Sequence, residues 1–219
     1  MSPTPTHPHP HTPTPDAAPA TPAAPTVPGG PGPAAGAATL AFGATDTPIG
    51  RIAVAATERG VVWTGFRDTP GTRARAAHRA GLPVVDDPAR VAAALDGLTA
   101  YFSGEPYTFA LPIDWRLTSP LQRRVLTTLY ESVPYGKAVT YGELGDLSGA
   151  GVPAQAIGQV MGGNPIPLIV PCHRVVASNG IGGYSGGSGV EVKRWLLTLE
   201  GVLPATLDWD ITRGPGAPT

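Results

Sequence analysis

An α+β fold is predicted: a small sheet-containing N-terminal half followed by a mostly helical half. Three observations carry this reading. Ile52 and Val54 alternate with Arg51, Ala53 and Ala55, the period of a strand. Val91, Leu95, Leu98 and Phe102 fall at i, i+4, i+7 and i+11, one apolar stripe of a helix. Beyond Ser119 the alternation gives way to successive helical stretches divided by glycine and proline.

After the Arg59-Gly60 turn, Val61, Val62, Trp63 and Phe66 supply the β-branched and aromatic residues of a pairing strand. Arg67, Arg73, Arg75 and Arg79 mark a solvated loop or helix face. Asp86 to Pro88 start the helix that carries the Val91 stripe, and Gly104 and Pro106 end it. Phe109, Leu111 and Ile113 alternate again and predict a third strand. Ser119-Pro120 reads as an N-cap followed by proline in the first turn. Leu121, Val125, Leu129 and Val133 then step by four along one face until Pro134, Tyr135 and Gly136 break it. Thr140 caps a short helix with Leu144 and Leu147. A turn over Ser148 to Gly151 leads to a second helix from Pro153 to Met161. Two short helices joined by a glycine-containing turn make a helix-turn-helix candidate. The same arrangement also serves as a packing unit. The second helix is built mostly of small residues and offers base edges only Gln155 and Gln159.

Four segments are expected: a tail over 1–36, an α+β domain over 37–114, a mostly helical domain over 115–203, and a tail over 204–219. The first 36 residues hold 12 of the 27 prolines, a single charged side chain (Asp16) and no aromatic residue. Such a stretch cannot offset the entropy of ordering and is expected to be disordered and polyproline-leaning. It lacks a basic start and an apolar stretch, and the first arginine is Arg51, so it reads as neither signal nor transit peptide. His7, His9 and His11 alternate with prolines there, a pattern that could touch a metal but reads more readily as a solvated tail.

Of the 219 residues, 15 are Lys or Arg and 16 are Asp or Glu, a net charge of -1 that excludes a strongly basic nucleic-acid coat. No apolar run is long enough to span a membrane. One cysteine excludes an intramolecular disulfide framework and any Cys-pair metal site, so no metal and no cofactor are expected, and a free thiol fits the cytoplasm. That cysteine, Cys172, follows the short apolar stretch Leu168-Ile169-Val170 and Pro171, and precedes His173. A neighbouring base or cation lowers a thiol's pKa and makes it a nucleophile. The residues alone leave a second reading open, a buried cysteine acting as a small hydrophobe beside a core histidine.

Pro171-Cys172-His173-Arg174-Val175 resembles the signature of the O6-alkylguanine-DNA alkyltransferases, the methylated-DNA–protein-cysteine methyltransferases. The likeness runs on, in order, through 133–137, Thr140 to Leu144, Asn164 to Pro167, Gly183 to Gly187, Lys193 to Leu197 and Leu199 to Gly201, and Gly50 to Phe66 looks like the family's N-terminal sheet. The resemblance implies suicide repair. A nucleotide carrying an O6-alkylguanine, and by extension an O4-alkylthymine, is flipped from double-stranded DNA. Cys172 takes the alkyl group, His173 accepts the thiol proton through a water, Glu200 orients His173, and Tyr141 hydrogen-bonds guanine N3. Ser185 and Tyr184 belong to the substrate loop. The carbonyls of Cys172 and Val175 read the exocyclic amine, and Asn164 is the hinge. Ala154 and Gln155 enter the groove, and Arg174 either contacts DNA or salt-bridges within the fold. The protein would act as a monomer.

Two departures stand out. Family members carry an arginine nine residues before the hinge Asn, where this chain has Gln155, which lacks the charge and planar stacking of guanidinium. The loop before Lys193 is about two residues longer than is usual in the family, through Ser188 to Glu191. Gln155 raises an alternative, a lesion-binding protein with weak or no repair. Relatives of that type lack the acceptor cysteine, which this chain has. A cysteine hydrolase would want its nucleophile at a helix N-terminus with a distant histidine, and neither is evident. Seven basic against five acidic side chains from Trp115 to Gly201 suit modest DNA binding.

Overall fold

Strand β1 (Leu40–Thr47) pairs antiparallel with β2 (Gly50–Thr57), which pairs antiparallel with β3 (Gly60–Gly65). This computed structural model describes residues 38–104 and 107–205. The expectations for the tail over 1–36, most of the tail over 204–219, and Pro106 as a helix stop lie outside the described residues. A short strand, β4 (Val84–Val85), adds parallel to β1 and completes the order β3-β2-β1-β4.

The alternation at Ile52 and Val54 predicts a strand, and in that strand residues 52–57 are all buried. Helices cover both faces, and a strand so enclosed needs no polar alternation. Ile52, Val54 and Ala56 pack with Val91, Ala94 and Leu98 of α2 (Ala89–Tyr101). Ala55, Val62 and Leu40 face Ala77 and Ala80 of α1 (Pro70–Ala80). The arginine-rich stretch is therefore that helix. It is started by Thr69, whose side chain forms a reciprocal capping box with Thr72, with Pro70 in its first turn. Sequence reasoning passed over β1, although Leu40 and Phe42 sit at strand spacing.

The third predicted strand does not form. Residues 107–114 run irregularly and bridge the sheet backbone where Val61 meets Ile113, with Val61 N–H donating to Pro112 O at 2.9 Å, while the Thr57 hydroxyl of β2 donates to Asp114 Oδ2 at 2.6 Å. Pro112 has no N–H with which to continue a ladder. Gly60 makes this approach possible: its φ is +126°, and a Cβ there would lie 2.1 Å from Pro112 O.

Helix α3 (Pro120–Ser132) begins with a capping box between Ser119 and Gln122. Its buried residues are Val125, Leu126 and Leu129, followed by Val133, while Leu121 is exposed and so leaves the predicted stripe. Helix α4 (Tyr141–Ser148) is capped by Thr140 with Glu143 and stopped by Gly149 in the left-handed region at φ 57°. It buries Leu144 and leaves Leu147 exposed. Residues 149–153 lead to α5 (Ala154–Gly162), and the last helix among the described residues is α6 (Val190–Leu199). A hydrophobic core runs through both halves, from Ile52 and Leu98 to Val125, Leu144, Ile157 and Trp195. Among the described residues no helix is long and apolar enough to cross a membrane.

Candidate active site

Two contacts bring the cysteine loop into register. Strand β5 (Val139–Thr140) pairs parallel with β6 (Val175–Val176), directly after Cys172–Arg174, which form a turn of 3-10 helix. Tyr141, next after β5, is thereby held beside the cysteine. From the other side Thr64 of β3 donates its N–H to Pro165 O (3.0 Å) and its hydroxyl to Pro167 O (2.6 Å). The sheet's edge strand thus anchors the proline-rich run that leads to Cys172.

That run is strained and internally braced. Leu168, almost fully buried, adopts φ 74°, a left-handed conformation costing a non-glycine residue about 1–2 kcal/mol. Asn164 holds the bend: its Oδ1 accepts from Ile166 N–H at 3.0 Å and its Nδ2 donates to Val170 O at 2.9 Å. Val170 O also accepts the N–H of Cys172 at 2.8 Å, so Asn164 sits one hydrogen bond from the cysteine's backbone.

Cys172 forms part of the wall of a pocket of about 240 Å³, together with Tyr141, Gly158, Met161, Gly162, Gly183, Tyr184 and Ser185. Gly158 and Gly162 are one turn apart on α5, so of that helix only Met161 brings a long side chain to the pocket wall. Burial pushes the Cys172 thiol up, opposed by hydrogen bonding from Asn164, the charge of Lys193 and the Tyr184 hydroxyl. At this thiol desolvation is the larger effect, and the lowering influence of its neighbours opposes it without prevailing. The Tyr184 hydroxyl is buried against the thiol, and burial pushes its own pKa well up, keeping it a neutral donor.

Behind the cysteine lies a fully buried His173, with Nε2 2.7 Å from Glu200 Oε1. Burial alone would push the Glu200 carboxyl up, but His173 and Arg174 outweigh it and hold it at about 2. His173 is pushed down by burial against the pull of Glu200, so the imidazole is neutral at pH 7. An ionised carboxylate only accepts, so Nε2 carries the hydrogen and Nδ1 keeps its lone pair. Nδ1 is buried with no hydrogen-bond partner among the described residues, which leaves it free to take a proton.

Arg174 departs from its expected place among the DNA contacts. Its Nε donates to Glu200 Oε2 (2.8 Å), Nη2 to Oε1 (3.0 Å) and Nη1 to Val133 O (2.8 Å), and the side chain is 7% exposed. A buried carboxylate needs a paired cation, and that demand turns the guanidinium inward. Ala154 and Gln155 are exposed in the first turn of α5, and Ser185 is exposed at the pocket rim.

Sequence reasoning missed two participants. Lys193, buried in α6, donates to Val175 O at 2.6 Å and to Gly183 O at 3.1 Å, tying β6 to the loop that carries Tyr184 and Ser185. Burial lowers its ammonium to about 8. A lysine one residue before Arg194 and the apolar run Trp195 to Leu197 was the available signal. The Val175 carbonyl keeps one lone pair for a further donor. The other is Tyr101, the last residue of α2, whose hydroxyl donates to Glu200 Oε1 at 2.7 Å.

Fold and site together define a protein with one buried cysteine, backed by a histidine and a carboxylate, beneath a pocket walled partly by a helix of small residues. Residues 40–115 match the family model described as 6-O-methylguanine DNA methyltransferase, ribonuclease-like domain, and residues 120–202 match the one described as its DNA binding domain. A methylated-DNA–protein-cysteine methyltransferase of Saccharolobus islandicus is 36% identical over 163 residues, 74% of this chain and 97% of that protein. One of Mycobacterium bovis is 45% identical over 115 residues, 52% of this chain and 67% of that protein. The crystal structure of Mycobacterium tuberculosis OGT in complex with DNA superposes with a TM-score of 0.61 at 34% identity, over 80% of this chain and 96% of that one. The chain belongs to the methylated-DNA–protein-cysteine methyltransferase family.

Proposed function

We propose that this protein repairs DNA by moving the alkyl group of O6-alkylguanine onto Cys172, once per molecule. The observation that carries the reading is the free Nδ1 of His173, held ready by Glu200 directly behind the pocket that Cys172 lines. The pocket suits a single flat base, so the damaged nucleotide must leave the stack to reach it. Ala154 and Gln155 then face the duplex from α5.

The thiol proton passes to His173, whose developing charge Glu200 stabilises. The Sγ–C bond forms as the C–O6 bond breaks, and that electron pair stays on the guanine. The base gains one proton for the one the thiol lost, with the Tyr141 hydroxyl hydrogen-bonding N3 as charge develops. Burial and the nearby thiol raise the pKa of Tyr141, which keeps that hydroxyl protonated. Ser185 and Tyr184 meet the O6 side, and the Cys172 and Val175 carbonyls meet the exocyclic amine. The thioether has no ready route back.

Intact-mass analysis after mixing with a duplex containing O6-methylguanine is expected to show one methyl per molecule. Peptide mapping should place it on Cys172, and Cys172→Ala should abolish it. Several turnovers per molecule, or transfer by the alanine variant, would sink the proposal.

The alternative of binding without repair rests on Gln155 alone. An arginine there would add a stacking plane and a cation, and stacking on a side chain is worth about 1–3 kcal/mol in single-strand binders. Gln155→Arg is expected to speed repair of duplex lesions about tenfold, since about 1.4 kcal/mol is a factor of ten. Free O6-alkylguanine, which needs no extrusion, should react at nearly the wild-type rate. Equal response of both substrates would show that Gln155 does not act in extrusion.

A further inference from the structure

We infer that Tyr101 is a positioning residue for alkyl transfer: its hydroxyl fixes Glu200 and thereby His173, so the N-terminal half supplies a working part of the relay behind Cys172. This rests on the reading of Cys172, His173 and Glu200 proposed above.

Tyr101 is fully buried, and its ring is fixed by Phe102, Phe109 and Tyr135 at centroid distances of 5.0, 5.7 and 6.0 Å. Its hydroxyl lies 2.7 Å from Glu200 Oε1 and 3.4 Å from His173 Nε2, so it bridges the two groups that make the relay. A buried tyrosine hydroxyl needs a partner, yet a carbonyl suffices: Tyr130 in the same fold donates to Phe109 O at 2.6 Å. Tyr101 is aimed instead at the carboxylate oxygen that His173 uses. Burial and then the Glu200 charge raise its pKa well up, so it stays a donor.

The titratable and charged groups around His173 are Glu200 at the end of α6, Arg174 beside it in the chain, Lys193 from α6 and Tyr101 from α2, with Tyr135 facing Tyr101. Arg174 neutralises Glu200 as a whole. Tyr101 draws charge from Oε1 alone and keeps it pointed at Nε2. Without that hydroxyl, Oε1 belongs more fully to His173. The imidazole then becomes more basic and less fixed. His173 must be neutral to accept the thiol proton, so the acid limb of the rate moves to higher pH.

The test is single-turnover transfer from an O6-methylguanine duplex by wild type and Tyr101→Phe across pH. Expected are unchanged duplex affinity, a maximal rate about tenfold lower, the scale of one hydrogen bond to a charged group, and an acid limb displaced upward. Unchanged kinetics in the variant would overturn the inference. So would a loss of rate or melting temperature with the acid limb unmoved, since packing alone explains that. Failure of the wild type to transfer methyl at all would instead overturn the proposed function.

Discussion

Glu200→Ala is expected to destabilise the protein by about 3–5 kcal/mol, because it strands a buried cation. Arg174 gives Glu200 two of its hydrogen bonds and is 7% exposed, so water cannot readily replace the carboxylate. His173 Nε2 and the Tyr101 hydroxyl lose their acceptor at the same time. For a domain of this size each kcal/mol lowers Tm by roughly 2–4 °C, so calorimetry should show a fall of about 6–20 °C. Alkyl transfer should fall at least about a hundredfold in the protein that remains folded, the scale of general-base assistance. A Tm within the error of wild type would show that the pair contributes nothing. The pH dependence follows from the same group. Glu200 is held at about 2 in the fold against an ordinary 4.5. Its contribution is therefore complete above the unfolded value and is lost as pH falls from about 4.5 toward about 2. Acid unfolding of the alanine variant should lack that part of the slope.

Asn164→Ala is expected to cost about 2–3 kcal/mol, the sum of a lost hydrogen bond to Val170 O and a stranded N–H on fully buried Ile166. The larger effect should be on chemistry. The bend that carries Leu168 at φ 74° relaxes without its brace, and Cys172 loses a group that pulls its thiol pKa down against burial. The pH profile of alkylation by a small electrophile should therefore move to higher pH, and transfer from DNA should slow roughly tenfold to a hundredfold. Asn164→Asp keeps the acceptor for Ile166 but turns a second acceptor toward Val170 O. It should retain more stability than alanine only at pH low enough to protonate it. A thiol profile that stays in place in both variants would remove Asn164 from the account of reactivity.

Much of the helical half could be read locally. Ser119 with Gln122 and Thr140 with Glu143 are capping pairs three residues apart, and both start helices where the spacing predicts. Such signals survive because a cap acts within one turn and needs nothing from the rest of the fold. Cys172, His173 and Glu200 were found through a resemblance of motifs in order. Adjacency of Cys and His in the chain does not say which ring nitrogen faces where.

The strand pattern was less faithful. Phe109, Leu111 and Ile113 alternate like a strand, yet β3 accepts that segment only at one bridge, since whether an alternating run becomes a strand depends on a neighbour with a free edge. Arg174 illustrates the same limit at the site. Nothing near it in sequence distinguishes a phosphate contact from an ion pair. The partner that decides, Glu200, lies 26 residues away at the end of another helix. Tyr101 and Lys193 are further cases, since each acquires its role only when a distant element closes on it. Local propensity, capping and order of motifs were determined by the sequence by itself. The direction each buried polar side chain turns was decided only in the tertiary structure, because burial makes a charged or hydrogen-bonding group seek whatever partner the packing brings, whatever the separation along the chain.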